Sequence, residues 1–252
     1  MRLGILNATG YVGGEMIRYL AGHPDVDLTS VTARSHAGRM VGDVFPWVAA
    51  TARRGYADLQ LTGELEGSLD AVVSCLPHKA SAECMVSLLA DGVPVVDTSA
   101  DFRIRDLATY REWYGEHPAP EWIPSAVYGL SEFYREDLRS TRIVANPGCH
   151  AIAAELAIGP AFNANLVERE VIVDSKTGVS GAGRRAEAEF TFADLNENVV
   201  PYKVAAHRHG PEIAQELSAI GGLQVKVTFV PHLVPMIRGI HATLYARLKE
   251  ST

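Results

Sequence analysis

Residues 2–20 read RLGILNATGYVGGEMIRYL. Arg2 to Leu6 is a short apolar strand. Asn7 to Gly14 is rich in turn residues, and Ile17, Leu20 and Ala21 continue at helical spacing, so the segment predicts strand, glycine loop, helix. Outward from it the alternation goes on, with β-like runs at Val26 to Ala33, Leu69 to Leu76 and Val93 to Asp97 and a helix over Ala80 to Ala90. Strands alternating with helices predict a parallel sheet with crossovers. From about Asn146 the pattern changes. A long helix over Cys149 to Phe162 precedes longer strands at Glu170 to Thr177, Leu223 to Val230 and Ile237 to Leu248, which predict a mixed or antiparallel sheet. The expected fold class is α/β with two domains, residues 1–148 and a second, α+β domain over 149–252. Ile104 to Pro124, where aromatics stand among charges and prolines, reads as a mixture of helix and loop.

Composition narrows the function. With 30 acidic against 23 basic side chains and a net charge of −7, the surface is not built to neutralise nucleic-acid phosphate or anionic lipid. Charged residues at 21% and hydrophobic residues at 47% exclude disordered and fibrous classes. The N-terminus has no long apolar core with a cleavage site, and no run approaches the roughly 18 apolar residues of a membrane span. A cytoplasmic chain with neither nucleic-acid nor membrane partner is expected. Cys75, Cys84 and Cys149 are widely spaced and include no CxxC pair, which points away from disulfides and from a cysteine-rich zinc site.

A dinucleotide site needs a tight turn after the first strand, a backbone that can approach pyrophosphate, and a helix N-terminus facing the anion. Gly10, Gly13 and Gly14 supply that backbone, with Asn7 at the first small position, so residues 1–148 read as a Rossmann-type domain. The second strand ends Val31-Thr32-Ala33-Arg34-Ser35, with no acid to accept a ribose hydroxyl. Arg34 can clamp a 2′-phosphate and Ser35 can donate a hydroxyl, which favours NADP(H) over NAD(H).

In Ile143 to Cys149, IVANPGC, a strand runs into a Pro-Gly turn and delivers Cys149 to the start of a helix. Free N–H groups there favour thiolate. Cys75 and Cys84 sit in apolar surroundings and read as packing residues. His207-Arg208-His209-Gly210-Pro211-Glu212 places two imidazoles before a helix, with Pro211 expected at its first position. An extended His-x-His would send the two rings to opposite sides, and His207, farther from the helix dipole, reads as the acid/base. Zinc ligation by this pair with Cys149 ranks low, for want of a fourth ligand beyond His232, and no metal is expected. Arg184 and Arg185, ending the glycine-rich run from Ser175, suit an anion.

These residues together resemble the N-acetyl-gamma-glutamyl-phosphate reductase family of arginine biosynthesis. The matching stretches are NATGYVGGE, LPHKAS, DTSADFRIRD, VYGLSE, NPGCHAIA, DSKTGVSGAGRR, YKVAAHRHGPEI and FVPHLVPMIRGIHATLYARL, in the family's order. The resemblance implies NADPH-dependent reduction of an acyl phosphate to an aldehyde through a Cys149 thioester, with His207 and His209 supplying proton and orientation. It implies Thr9, Gly10, Tyr11, Val12, Gly13, Arg34, Ser35, Pro77, Ser180 and Gly181 at the cofactor, and Arg103, Arg184, Asn146 and Glu212 at the substrate. It also implies a homo-oligomer, dimer or tetramer. The alternatives are the sister reductase that acts on a carrier-bound aminoadipyl phosphate in lysine biosynthesis, a non-catalytic remnant, and a hydrolytic thiol enzyme.

Three departures stand out. The family's first loop glycine is Asn7 here. The aromatic, Pro and Thr that usually follow the nucleophile are His150, Ala151 and Ile152. Family members also continue for several tens of residues past the strand near Leu248, which implies a second domain that is C-terminally short.

Overall fold

The computed structural model describes residues 1–51, 55–184, 187 and 190–250. By packing the chain forms two units, Met1–Arg105 with Glu116–Asn146, and Asp106–Gly115 with Pro147–Thr252. In the first unit β1 (Arg2–Leu6), β2 (Asp27–Thr32), β3 (Leu61–Thr62), β4 (Ala71–Ser74), β5 (Val95–Asp97), β6 (Ala126–Tyr128) and β7 (Ile143–Ala145) make one sheet. Its order is β3-β2-β1-β4-β5-β7-β6, and every pairing is parallel. The chain leaves β1 towards β2 on one side and returns to β4 on the other, so the carboxyl ends of β1 and β4 flank the topological switch point.

The helices are α1 (Tyr11–Leu20), α2 (Val41–Val44), α3 (Pro46–Thr51), α4 (Ala80–Ala90), α5 (Leu107–Tyr114), α6 (Ser131–Leu138), α7 (Cys149–Asn163), α8 (Phe192–Leu195) and α9 (His209–Gly221). One core of the first unit joins Ile5, Leu28 and Val31 of the sheet to Ile17 and Leu20 of α1. The stretch DTSADFRIRD, residues 97–106, ties loops and a helix start together through its acids. The buried Asp97 carboxylate accepts the Ser81 hydroxyl at 2.6 Å and the Ser99 hydroxyl at 2.7 Å. Burial pushes that acid upward against the pull of these bonds. Asp101 accepts the backbone N–H groups of Lys79 and Ala82 at the start of α4, satisfying donors that a helix end leaves open.

The second unit holds β8 (Val167–Thr177), β9 (Val200–Pro201), β10 (Lys226–Leu233) and β11 (Ile240–Leu248) in the order β11-β8-β10-β9. β8 and β10 are parallel while the outer pairs are antiparallel, a mixed sheet. Ala151, Ala154 and Ile158 recur along one face of α7 and pack with Ile213 and Leu217 of α9 on Val171, Val173 and Phe229. Along β8 the inward set is Val171, Val173, Ser175 and Thr177, so two polar side chains end a buried row. α5 belongs to this unit although it interrupts the first in sequence. Asp106 caps it through the Thr109 N–H at 2.8 Å, and Arg208 stacks on Tyr114 at 4.9 Å. No helix among the described residues is long and apolar enough to cross a membrane.

Candidate active site

Asn7 adopts the left-handed conformation, φ +58°, that a glycine would take without strain. Its side-chain amide donates to the Cys75 carbonyl at 2.9 Å, tying the β1 loop to the β4 loop. Gly13 is obligatory, since a Cβ there would lie 2.3 Å from the Ala8 carbonyl oxygen. Gly10, the N-cap of α1, has nothing within 4 Å of the position a Cβ would take, and no side chain caps the helix. An open helix N-terminus beside an unobstructed glycine is a cradle for an anion. Thr9 is half-buried beside it, and Tyr11 and Val12 are exposed. Arg34 and Ser35 are exposed in the turn directly after β2, and Pro77 is exposed after β4. The first unit thus gathers eight of the ten expected cofactor residues at the carboxyl edge of its sheet, and they fit a dinucleotide with a 2′-phosphate. Ser180 and Gly181 lie in the second unit, in a turn after β8 anchored by the Ser180 N–H on the Ile237 carbonyl at 3.0 Å.

Two expected substrate residues have structural partners instead. Arg103 is buried, and its guanidinium donates to the Asn146 carbonyl at 2.7 Å and the Thr98 carbonyl at 2.8 Å, bracing the chain just before Pro147. Glu212 is fully buried and accepts the Gly148 N–H at 2.7 Å, so it fixes the turn that presents the cysteine. Asn146 and Arg184 are exposed, and Arg185 lies outside the described residues.

Cys149 is the first residue of α7, exposed, with Gly148 as an N-cap that offers no side chain. Cys75, by contrast, is pushed up to about 12 by burial. One ligand-type atom each from Cys149, His150 and His209 lies within 4.8 Å of the others. His207 joins this group, its ring centroid 4.8 Å from that of His209 and 5.6 Å from that of His150.

The extended His-x-His expected from sequence does not occur. α9 begins at His209, because Arg208 is already in helical conformation, φ −60° and ψ −19°; Pro211 therefore stands third in the helix, and both rings turn to the same side. The reading of His207 as a group that holds a proton near neutral pH is likewise corrected. Burial first, then His209 and His150, pulls it down to about 3. His207 Nδ1 accepts the His209 N–H at 3.1 Å, which leaves the neutral ring its proton on Nε2.

Sequence reasoning missed a buried row behind the thiol. His150 Nδ1 is 2.7 Å from the Ser175 hydroxyl, and its Nε2 is 2.9 Å from the Tyr202 hydroxyl. Burial pulls His150 down to about 4. Tyr202 is pushed up to about 12, by burial first and then by the charge of a Cys149 thiolate, so the phenol keeps its proton beside the nucleophile. The signal for this row was Ser175 itself, a polar residue in the inward register of an apolar strand, where a buried hydroxyl needs a partner.

A parallel nucleotide-type unit and a mixed-sheet unit with a helix-N-terminal cysteine define the semialdehyde dehydrogenase class. Residues 2–141 match the family described as semialdehyde dehydrogenase, NAD binding domain, and residues 149–252 the semialdehyde dehydrogenase dimerisation domain. The fold is also that of Candida albicans aspartate semialdehyde dehydrogenase with NADP, at TM-score 0.70 and 19% identity over 98% of this chain and 71% of that one. Within the class, the chain belongs to the N-acetyl-gamma-glutamyl-phosphate reductase family. It is 49% identical to the Dehalococcoides mccartyi reductase over 99% of its own length and 72% of that relative's. The Laribacter hongkongensis reductase is 46% identical over 99% of this chain and 73% of the relative.

Proposed function

We propose that this chain reduces N-acetyl-gamma-glutamyl phosphate to N-acetylglutamate 5-semialdehyde with NADPH and releases phosphate, in arginine biosynthesis. The observation that carries the reading is Cys149 at the start of α7, with His209 and His150 within reach of its sulfur. The Cys149 thiolate attacks the γ-carbonyl carbon, the bond to the phosphate oxygen breaks, and phosphate departs with its electron pair, leaving a thioester on sulfur. The protonated Nε2 of His207 is suited to donate to the oxyanion. NADPH, when bound, supplies the hydride that reduces the thioester carbonyl. The alkoxide that hydride addition leaves re-forms the carbonyl as the C–S bond breaks, which frees the aldehyde and restores the thiolate, and His209 delivers the proton that the departing phosphate takes up. In the register where His150 donates through Nε2, the Tyr202 hydroxyl can donate towards the sulfur.

Thr9, Gly10, Tyr11, Val12 and Gly13 hold the pyrophosphate side of the cofactor, Arg34 and Ser35 its 2′-phosphate, and Pro77 lines the same edge. Ser180 and Gly181 serve the nicotinamide, and Arg184 and Asn146 serve the substrate. The division of labour is a cofactor domain over residues 1–148 and a catalytic and oligomerisation domain over 149–252. A homo-oligomer working in the cytoplasm fits the dimerisation-domain match and the exposed Ile172 and Tyr245, cross-strand partners on the open sheet face.

The direct test follows nicotinamide absorbance with N-acetylglutamate semialdehyde, phosphate and NADP in the oxidative direction. Phosphate-dependent formation of NADPH is expected, and no turnover with this substrate refutes the reading. Cofactor choice has its own test. Arg34→Asp removes the cation facing the 2′-phosphate and installs an acceptor for a ribose hydroxyl. Losing a charge-assisted contact of about 1.5–3 kcal/mol corresponds to roughly ten- to a hundredfold weaker NADP binding, with preference moving towards NAD. Unchanged NADP affinity in a fluorescence titration would place Arg34 away from the phosphate.

A further inference from the structure

We propose that Cys149, His150 and His209 form a binding site for a thiophilic divalent cation, specifically zinc, whose occupancy reversibly blocks the thiol. Among the described residues no other group of three cysteine, histidine or acidic side chains converges so closely, and all three candidate ligand atoms lie within 4.8 Å of one another. Tetrahedral zinc with bonds of about 2.0–2.3 Å sets its ligands roughly 3.3–3.7 Å apart, so side-chain adjustments of about 1 Å close the site. Cys149 is exposed, which gives the ion an entry path, while His150 is buried and His209 partly buried.

The chemistry of His150 favours ligation. Its Nδ1 is held at 2.7 Å by the buried Ser175 hydroxyl, the kind of second contact that orients a ligating histidine. The other nitrogen, now 2.9 Å from the Tyr202 hydroxyl, is the one that would exchange the phenol for the metal. The ligand set differs from the one weighed in the sequence, with His150 in place of His207. Ion binding does not depend on the proposed reaction. Its consequence for turnover rests on that reading of Cys149.

The test uses the full chain stripped with a chelator. Zinc is titrated against a chromogenic indicator, cadmium is used to detect the thiolate charge-transfer band, and iodoacetamide labelling of Cys149 is followed with and without zinc. One equivalent per chain, a cadmium band lost in Cys149→Ser, and labelling blocked by zinc and restored by chelator are expected. His150→Phe should weaken zinc binding at least tenfold, as should His150→Gln, which keeps a polar group beside Ser175. Ser175→Ala should weaken it about 10–100-fold. Undiminished zinc affinity in either folded His150 variant overturns the proposal, as does zinc that fails to shield Cys149. If zinc binds as described but the semialdehyde assay gives no turnover, the ion site stands and the functional reading falls. Turnover without zinc protection removes the ion site and leaves the functional reading standing.

Discussion

Cys149→Ser is expected to lower turnover on the order of 10⁴-fold or more while leaving circular dichroism and NADP binding unchanged. A factor of 10⁴ is about 5.5 kcal/mol in the barrier, and two properties of the site supply it. A thiol at the first position of α7 meets the positive end of a fifteen-residue helix, which favours thiolate, whereas a serine hydroxyl there stays protonated. The second property is the leaving group. An oxygen ester gives up its alkoxide far less readily than the thiohemiacetal gives up thiolate, so both the formation and the collapse of the adduct slow. NADPH consumption with the acyl phosphate measures this. More than a trace of activity in the serine variant removes Cys149 from the nucleophile's role. Cys75→Ser should leave the chemistry intact and act on stability, since it sets a hydroxyl in surroundings that already push the Cys75 thiol up to about 12.

The parallel sheet was legible because its strands are buried on both faces and read as apolar runs. β1 and α4 begin and end where the pattern places them, and β2, β4 and β5 lie inside the expected runs. β3, β6 and β9 span two or three residues each, too few for any periodicity to register, and are created by pairing with neighbours far along the chain. α5 was unreadable for a related reason. Its aromatics stack on each other, Tyr110 on Tyr114 at 5.0 Å, and against Arg208, a residue no local pattern links to them.

At the site, the residues set by local backbone were visible: the glycine cradle, Arg34 after β2, and Cys149 after Pro147-Gly148. Those set by tertiary contact were not. His150 meets Ser175 and Tyr202 across 25 and 52 residues of sequence. Glu212 and Arg103, both expected at the substrate, are buried and bonded to the Gly148 N–H and to backbone carbonyls respectively. Buried polar groups are kept where such bonds satisfy them, and both residues brace the chain on either side of Pro147.

The histidine pair gives the sharpest remaining test, because a shift of two residues in the start of α9 reverses the roles expected from the sequence. With Arg208 helical, both rings face the same cluster, and a lone-pair nitrogen of His209, not one of His207, completes the group around Cys149. His207, pulled down to about 3, carries no proton at working pH that could be given up or gained near neutrality, and His150 at about 4 carries none either. Lowered imidazole values mean that acid, not base, charges these rings, so any limb of the pH–rate profile between about pH 5 and 8 has to come from another group. His209→Ala removes the imidazole that stands beside the Cys149 sulfur and should lower kcat about 10²–10⁴-fold, with loss of that limb as the expected outcome. His207→Ala should keep the limb and lose a hydrogen bond to the oxyanion, a cost of about 10–100-fold in kcat/KM. The measurement is kcat and kcat/KM against pH for the two variants with the same acyl phosphate. A limb that survives in His209→Ala and disappears in His207→Ala would return the acid/base role to His207 and require its ring to be far better solvated than its packing against His150, Tyr202 and Phe229 allows.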